Sequence, residues 1–398
     1  MIKIALTGDS LITRGLGDDP YEGFSEIQKI LLEHDVRFTN LETCIRKDEG
    51  EPSLFPGGTY VYSHPSVLDS LKKFGFNLFS IANNHCMDFG VNGLKAMLNY
   101  LQNKNIIYSG AGNNLYEAEC PAFIDFKGRR VALISCTSSF HDSDAAGYKG
   151  KTSCGRTGVN PLRHIQKFYL PDNLFHNLKE IAELSGVDSY HKQAIKEGYL
   201  PEKDCISIGG INFYQGNIVS HITYPRGDDE NRILTQVRDA KRQANAVILS
   251  IHSHQFKGGR KENTPDFIVE LSKKAIDNGA SIICCHGPHL LRNIEKYKNG
   301  IILYGLGDFI LHNETVLSQP YEFHLKYNSS EVETGLAFDL RSKNGSRGLV
   351  ADEKAYQSII ESIVLDDDGA VISNKSYPVE LGFGRKRSES GWPVLSNS

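Results

Sequence analysis

With 398 residues, 40% of them hydrophobic and 23% charged, the chain has the composition of an ordinary globular protein, large enough for one big domain or two smaller ones. A net charge of -4 and the lack of any long Lys/Arg block exclude a protein whose main business is gripping nucleic acid or an anionic membrane surface. No stretch approaches the roughly eighteen consecutive apolar residues of a membrane span. The chain also starts directly on a strand pattern, and its eight cysteines stand singly apart from Cys284-Cys285, so a reducing, cytoplasmic setting is expected.

Residues 2–7 read as a short apolar strand that ends in Gly8-Asp9-Ser10. Phe24, Ile27, Ile30 and Leu31 then recur at helical spacing, and residues 36–40 form a second strand closing on Asn40-Leu41-Glu42. Residues 46–58, rich in charge, Pro and Gly, read as a surface loop, and a helix follows over 67–74. The run 77–82 is a buried strand that delivers Asn83-Asn84-His85 and, three residues on, Asp88 to its carboxyl end, where open α/β sheets place their chemistry. A helix over 90–103 and strands over 106–109, 122–126 and 130–135 continue the alternation expected of parallel sheets.

From residue 141 to about 232 the pattern loosens into an insertion. Its clearest signal is a helix near 174–184, with a polar, Gly-rich section over 206–217, and it could serve as a lid or substrate-facing subdomain. At its entrance, Arg156, Asn160 and Arg163 lie near glycines and suit the clamping of a carboxylate or phosphate. A helix over 231–244 leads to a strand, 246–251, ending in His252-Ser253-His254. Another helix over 264–278 leads to a strand, 281–285, ending in His286-Gly287-Pro288-His289. The strand 300–306 closes on Gly307-Asp308-Phe309, and a β-rich extension with a polar tail is expected beyond.

Five strand ends thus carry oxygen or imidazole donors: Asp9; Asn40 with Glu42; Asn84 with His85; His252 with His254; and His286 with His289. Any one of them could be a satisfied loop residue, but their convergence, with no competing cysteine motif, describes a site for one or two borderline divalent cations. Such ions acidify a bound water, so the chemistry implied is hydrolysis, with His85 as general acid oriented by Asp88. Asn40 and the 155–163 segment are expected to face the substrate.

In this order the motifs GD(S), N-L-E-T, I-A-N-N-H-x-x-D-x-G, H-x-H, H-G-P-H and Y-G-L-G-D-F resemble the CapA (poly-γ-glutamate capsule biosynthesis) family, of the calcineurin-like metallophosphoesterase superfamily. The resemblance implies a four-layer α/β/β/α sandwich, and with the pattern along the chain the expectation is a core of residues 1–320 holding a helical insertion (141–232), with a β-rich C-terminal extension over 321–398. It implies Asp9, Glu42 as bridging carboxylate, Asn84, His252, His286 and His289 as ligands of two ions (Mn, Fe or Zn), with His254 as a substitute ligand and His85 as proton donor. Leu11 stands where these phosphoesterases usually carry a histidine, and Gly287 where a second one is often found. The function implied is hydrolysis of a phosphoester or of a γ-glutamyl-type amide on a small anionic or peptide-like substrate. The alternative is an accessory, non-catalytic part in poly-γ-glutamate capsule biosynthesis.

Overall fold

The structure is a computed structural model and describes residues 1–202 and 204–396. Its frame is two large sheets. The first runs in the order Val394–Leu395, Val371–Glu380, Gln357–Leu365, Ile2–Leu11, Val36–Leu41, Leu78–Ser80, Tyr108–Ser109, with Asp308–Leu311 also paired to Ile2–Leu11. The second runs Ile294–Tyr297, Gly300–Leu303, Ile282–His286, Ala246–His252, Arg129–Thr137, Ala122–Phe126. The central strands of both are parallel, so their carboxyl ends share an edge.

Strand alternation sorts the apolar side chains into layers. Ile2, Ile4, Leu6 and Phe38 of the first sheet meet Leu133, Ile248, Ile282 and Leu303 of the second, which makes the inter-sheet core. On the far face of the first sheet, Ala5, Leu41 and Phe79 pack on Phe24, Ile27, Leu71, Phe74 and Met97 from three helices. On the far face of the second, Val247, Leu249 and Ile283 pack on Val237, Phe267 and Leu271 from two. Helix, sheet, sheet, helix is therefore the order of layers, as expected from the sequence.

Two outer pieces differ in make-up from the expectation. The insertion is not mainly helical: beside the helices Asp172–Ser185 and Ser189–Lys196 it holds a four-stranded sheet, ordered Ile206–Ile208, Ile211–Gln215, His164–Leu170, Ser220–Pro225. The Gly-rich section is a hairpin turning on Gly209 and Gly210, both at positive φ (57° and 79°), which is what a tight two-residue turn demands. The C-terminal extension begins with two helices, Tyr321–Tyr327 and Thr334–Ser342, packed through Phe323, Ala337 and Phe338. They are short, so helical spacing barely repeats in the sequence. Only then come its strands, of which Gln357–Leu365 pairs antiparallel with Ile2–Leu11 in the first sheet. Among the described residues no helix is long and apolar enough to cross a membrane.

Candidate metal centre

Within the first sheet, two strands meet through a close backbone approach at the edge where the donors gather. A Cβ on Gly8 would sit 1.7 Å from the carbonyl oxygen of Gly307, so only glycine lets the Ile2–Leu11 and Asp308–Leu311 strands meet there. As a result Asp9 and Asp308 stand side by side in register, both buried. Gly287, at φ 104°, donates its N–H to Asp9 Oδ2 at 2.9 Å, and a Cβ there would lie 2.9 Å from the backbone carbon of Ser253. That crowding is why no histidine fits at this position in this chain.

Around Asp9, Asn40 Nδ2 donates to Oδ1 at 2.6 Å, while His286 Nδ1 and His252 Nδ1 lie 3.5 and 3.7 Å from it. Glu42 has no exposed surface, and His252, His85 and His254 each place Nε2 3.6, 3.9 and 3.9 Å from its Oε1. Neither Glu42 oxygen and neither ring nitrogen of His286 has a hydrogen-bond partner among the described residues. His289 Nδ1 sits 2.9 Å from Asp308 Oδ1, on a backbone held at φ 54°. Such a conformation costs energy in a non-glycine residue and is typical of functional sites. Donor atoms fall within 4.8 Å of one another in two sets, Glu42 with His252 and His254, and Asp9 with Glu42, His289 and Asp308. Glu42 belongs to both.

The electrostatics fit a site for a cation. Burial, and then the charge of Asp9, raise the Glu42 pKa well above the carboxylate range. Burial would raise Asp9 too, but His252 and His286 pull it down. Burial lowers His286 to about 4, and lowers His252 and His254 as well. Burial acts against a proton on His289 also, yet Asp308 and Glu42 outweigh it and lift that imidazole to about 10. Buried carboxylates without donors are costly unless a cation meets them, and oxygen with imidazole is a donor set that suits divalent metal.

His85 is held differently. Asp88 accepts the N–H of Gly57 on Oδ1 and that of Val61 on Oδ2, both at 2.7 Å, so it is an acceptor and His85 Nδ1, 2.7 Å from Oδ2, must be the donor. That fixes the tautomer and leaves Nε2 facing the cluster. Asn84 donates Nδ2 to Gly57 O at 2.8 Å and keeps Oδ1 3.4 Å from His254 Nε2. A cleft of about 320 Å³ opens over Asn84, His85, His254 and His289, with Leu11 in its wall. A neighbouring cleft of about 300 Å³ reaches His254 from the insertion's sheet, past His164, Gln166 and His221.

The residues expected to hold substrate are placed elsewhere, which corrects that part of the sequence reading. Asn40 is fully buried and committed to Asp9 and His252, so it positions the cluster and cannot reach a substrate. Asn160 gives Nδ2 to Ser135 O and takes Arg232 on Oδ1. Arg163 Nη1 rests on both Asp229 oxygens at 3.2 and 3.1 Å, and Arg156 Nε bonds Ala145 O at 2.6 Å. Neither guanidinium lines the clefts around His254. Conversely, Asp308 joins the cluster although the sequence reading left it out. The signal was its place in Gly307-Asp308, a second copy of the strand-end pair Gly8-Asp9.

Comparison with known proteins adds family context. The family model described as bacterial capsule synthesis protein PGA_cap matches residues 3–313. An uncharacterized protein of Sinorhizobium fredii is 29% identical over 401 residues, covering 98% of this chain and 84% of that protein. The capsule biosynthesis protein CapA of Bacillus anthracis is 23% identical over 325 residues, covering 80% of this chain and 61% of its own length. Among solved structures, a putative 5'-nucleotidase from Staphylococcus aureus in complex with alpha-ketoglutarate aligns over all of this chain and 55% of that one, with a TM-score of 0.42 and 10% identity.

Proposed function

Because this chain belongs to the bacterial capsule synthesis protein family, we propose that it is a metal-dependent hydrolase acting on a phosphoester or a γ-glutamyl-type amide. The carrying observation is Glu42, a buried carboxylate that has no donor on either oxygen among the described residues and is common to both sets of ligand-type atoms. Asp9, Asn84, His252, His254, His286, His289 and Asp308 would hold two divalent ions (Mn, Fe or Zn) around it. When bound, they supply an acidified water and stabilise charge on the attacked centre.

The chain's own groups do the rest. His85 presents Nε2 to the cleft, where it can hold a proton for the leaving group, and Asp88 keeps the ring from turning. Because Asp88 also takes Gly57 and Val61 backbone N–H groups, the same carboxylate fixes the loop that borders the cleft. Asn40 and Gly287 hold Asp9 in place. Leu11, in place of a histidine, adds an apolar wall and no donor.

The test is metal analysis of purified protein together with turnover of bis-p-nitrophenyl phosphate and γ-glutamyl-p-nitroanilide after loading with Mn, Fe or Zn. Bound metal and hydrolysis of one probe, both reduced by Asn84→Ala, are expected. Loaded protein inactive on both probes, with Asn84→Ala binding metal equally well, would falsify the reading. Bound metal that falls in Asn84→Ala without any turnover would favour the accessory, non-catalytic part in capsule synthesis.

A further inference from the structure

The far wall of the cleft over His85 is built by the C-terminal extension, through Phe323, Lys326, Tyr327 and Arg341. The charges there do not balance locally. Arg341 bonds Thr59 Oγ1 and lies 3.2 Å from Asn313 Oδ1 and Glu314 Oε1. Arg387 takes the other Glu314 oxygen at 3.2 Å and Asp339 at 2.7 Å. Two guanidiniums and two carboxylates thus close on one another. Lys326 is exposed, and among the described residues no carboxylate lies within ion-pair reach of its ammonium.

We propose, resting on the hydrolase reading, that Lys326 receives a second anionic oxygen group of the substrate, a carboxylate or phosphate that is not itself attacked. The scissile group lies at the Glu42 cluster, and the rest of the substrate crosses the cleft towards the extension. Phe323 and Tyr327, one helical turn apart with ring centroids at 4.9 Å, flank Lys326 and give the substrate's apolar stem a surface to lie on. Phe323 is itself fixed by packing on Phe338, so the wall is preformed. Arg341 is a positioning residue: it ties the extension to Thr59, in the loop that Asp88 holds. A lysine is a point charge without a fork, so it accepts either oxyanion. The substrate class is therefore one with two anionic centres separated by an apolar spacer, and a bare phosphomonoester leaves half of the cleft unused.

The experiment is calorimetric titration of the manganese-loaded full chain with phenylphosphonate, 4-carboxyphenylphosphonate and 1,4-phenylenediphosphonate. The wild type should bind a ligand with the second anion about three- to fivefold more tightly than phenylphosphonate, as expected for a solvent-accessible ion pair. The better of the two bifunctional ligands identifies carboxylate or phosphate. Lys326→Ala should erase the advantage and Lys326→Glu reverse it, each read as the ratio to phenylphosphonate on the same variant. Equal affinities in the wild type, or an advantage that survives in Lys326→Ala, would overturn the assignment. Because these ligands are not cleaved, the result is independent of turnover: a hydrolase that fails here keeps its chemistry, and a protein without turnover can still show the second anion site.

Discussion

The substitution Glu42→Gln should move the metal-free and the metal-loaded protein in opposite directions. Glu42 is wholly buried, its nearest imidazole nitrogen stands 3.6 Å away, and neither of its oxygens accepts a hydrogen bond among the described residues. An unsatisfied buried polar group costs about 1–3 kcal/mol, and more when charged. Glutamine keeps the shape and is neutral without taking up a proton, whereas burial and the charge of Asp9 force one onto metal-free Glu42, so the stripped variant should be more stable by about 1–3 kcal/mol. With an unfolding entropy of roughly 2.1 cal/mol/K per residue, a chain of this size gains roughly 1 °C in Tm for each kcal/mol. Ligand in hundredfold excess over Kd adds about 2.7 kcal/mol per site in the wild type, hence roughly 3 °C for each ion bound. Scanning calorimetry of protein treated with chelator and then refilled with manganese reads both effects. The expected pattern is a stripped variant melting roughly 1–3 °C above the stripped wild type, with most of the metal-induced rise gone. A variant that melts lower when stripped and rises as much as the wild type with manganese would refute the assignment of Glu42 to both donor sets.

Three further outcomes follow from individual contacts. Asp88→Asn should lower turnover by about 10–100-fold at unchanged metal content, because the carboxylate orients His85 and the Gly57 loop without belonging to the donor sets. Metal loss of the same size in that variant would assign Asp88 to the cluster instead. Arg232→Ala removes a nearly buried guanidinium that bonds Asn160, Pro161 and Asp229, and should cost about 3 kcal/mol in a urea titration while the metal content of folded protein stays the same. His34, bonded to Ile30 O and Ser362 Oγ, has a pKa lowered by burial from its ordinary 6.5, so the folded state favours its neutral form. The unfolded chain then takes up more protons below that value, and stability present above it is lost as pH falls. The urea-midpoint gap between wild type and His34→Gln should accordingly narrow from about pH 7.5 to about pH 5, and a constant gap would show that His34 does not titrate differently on unfolding.

Much of the centre was legible because strand ends are local events. An apolar run that stops at Asp9, at Asn40, at His252 or at His286 declares in sequence both the strand and the donor it delivers. The helices Val67–Phe74 and Gly90–Asn103 were legible for the same reason, since their buried faces repeat over two or more turns. The outer pieces lacked such repetition. Tyr321–Tyr327 has seven residues, too few for a face to recur, and the Gly209-Gly210 hairpin is marked only by its turn.

The amino-acid sequence by itself determined the α/β alternation and which ligand-type residues stand at strand ends, since strand and helix periodicity and the residue types at strand ends are properties of neighbouring positions; the four layers were implied by the family resemblance. It could not decide which polar groups are already spent. Arg156, Asn160 and Arg163 have the chemistry to hold an anion, but Ala145, Ser135 and Asp229, distant in the chain or across a turn, occupy them first. Nor could it show that Asp308 stands beside Asp9, or that Lys326 lines the cleft with no carboxylate in ion-pair reach among the described residues, because both depend on how segments some three hundred residues apart in the chain meet. Hydrogen-bond and charge satisfaction are properties of the folded neighbourhood, and only the tertiary structure supplies that neighbourhood.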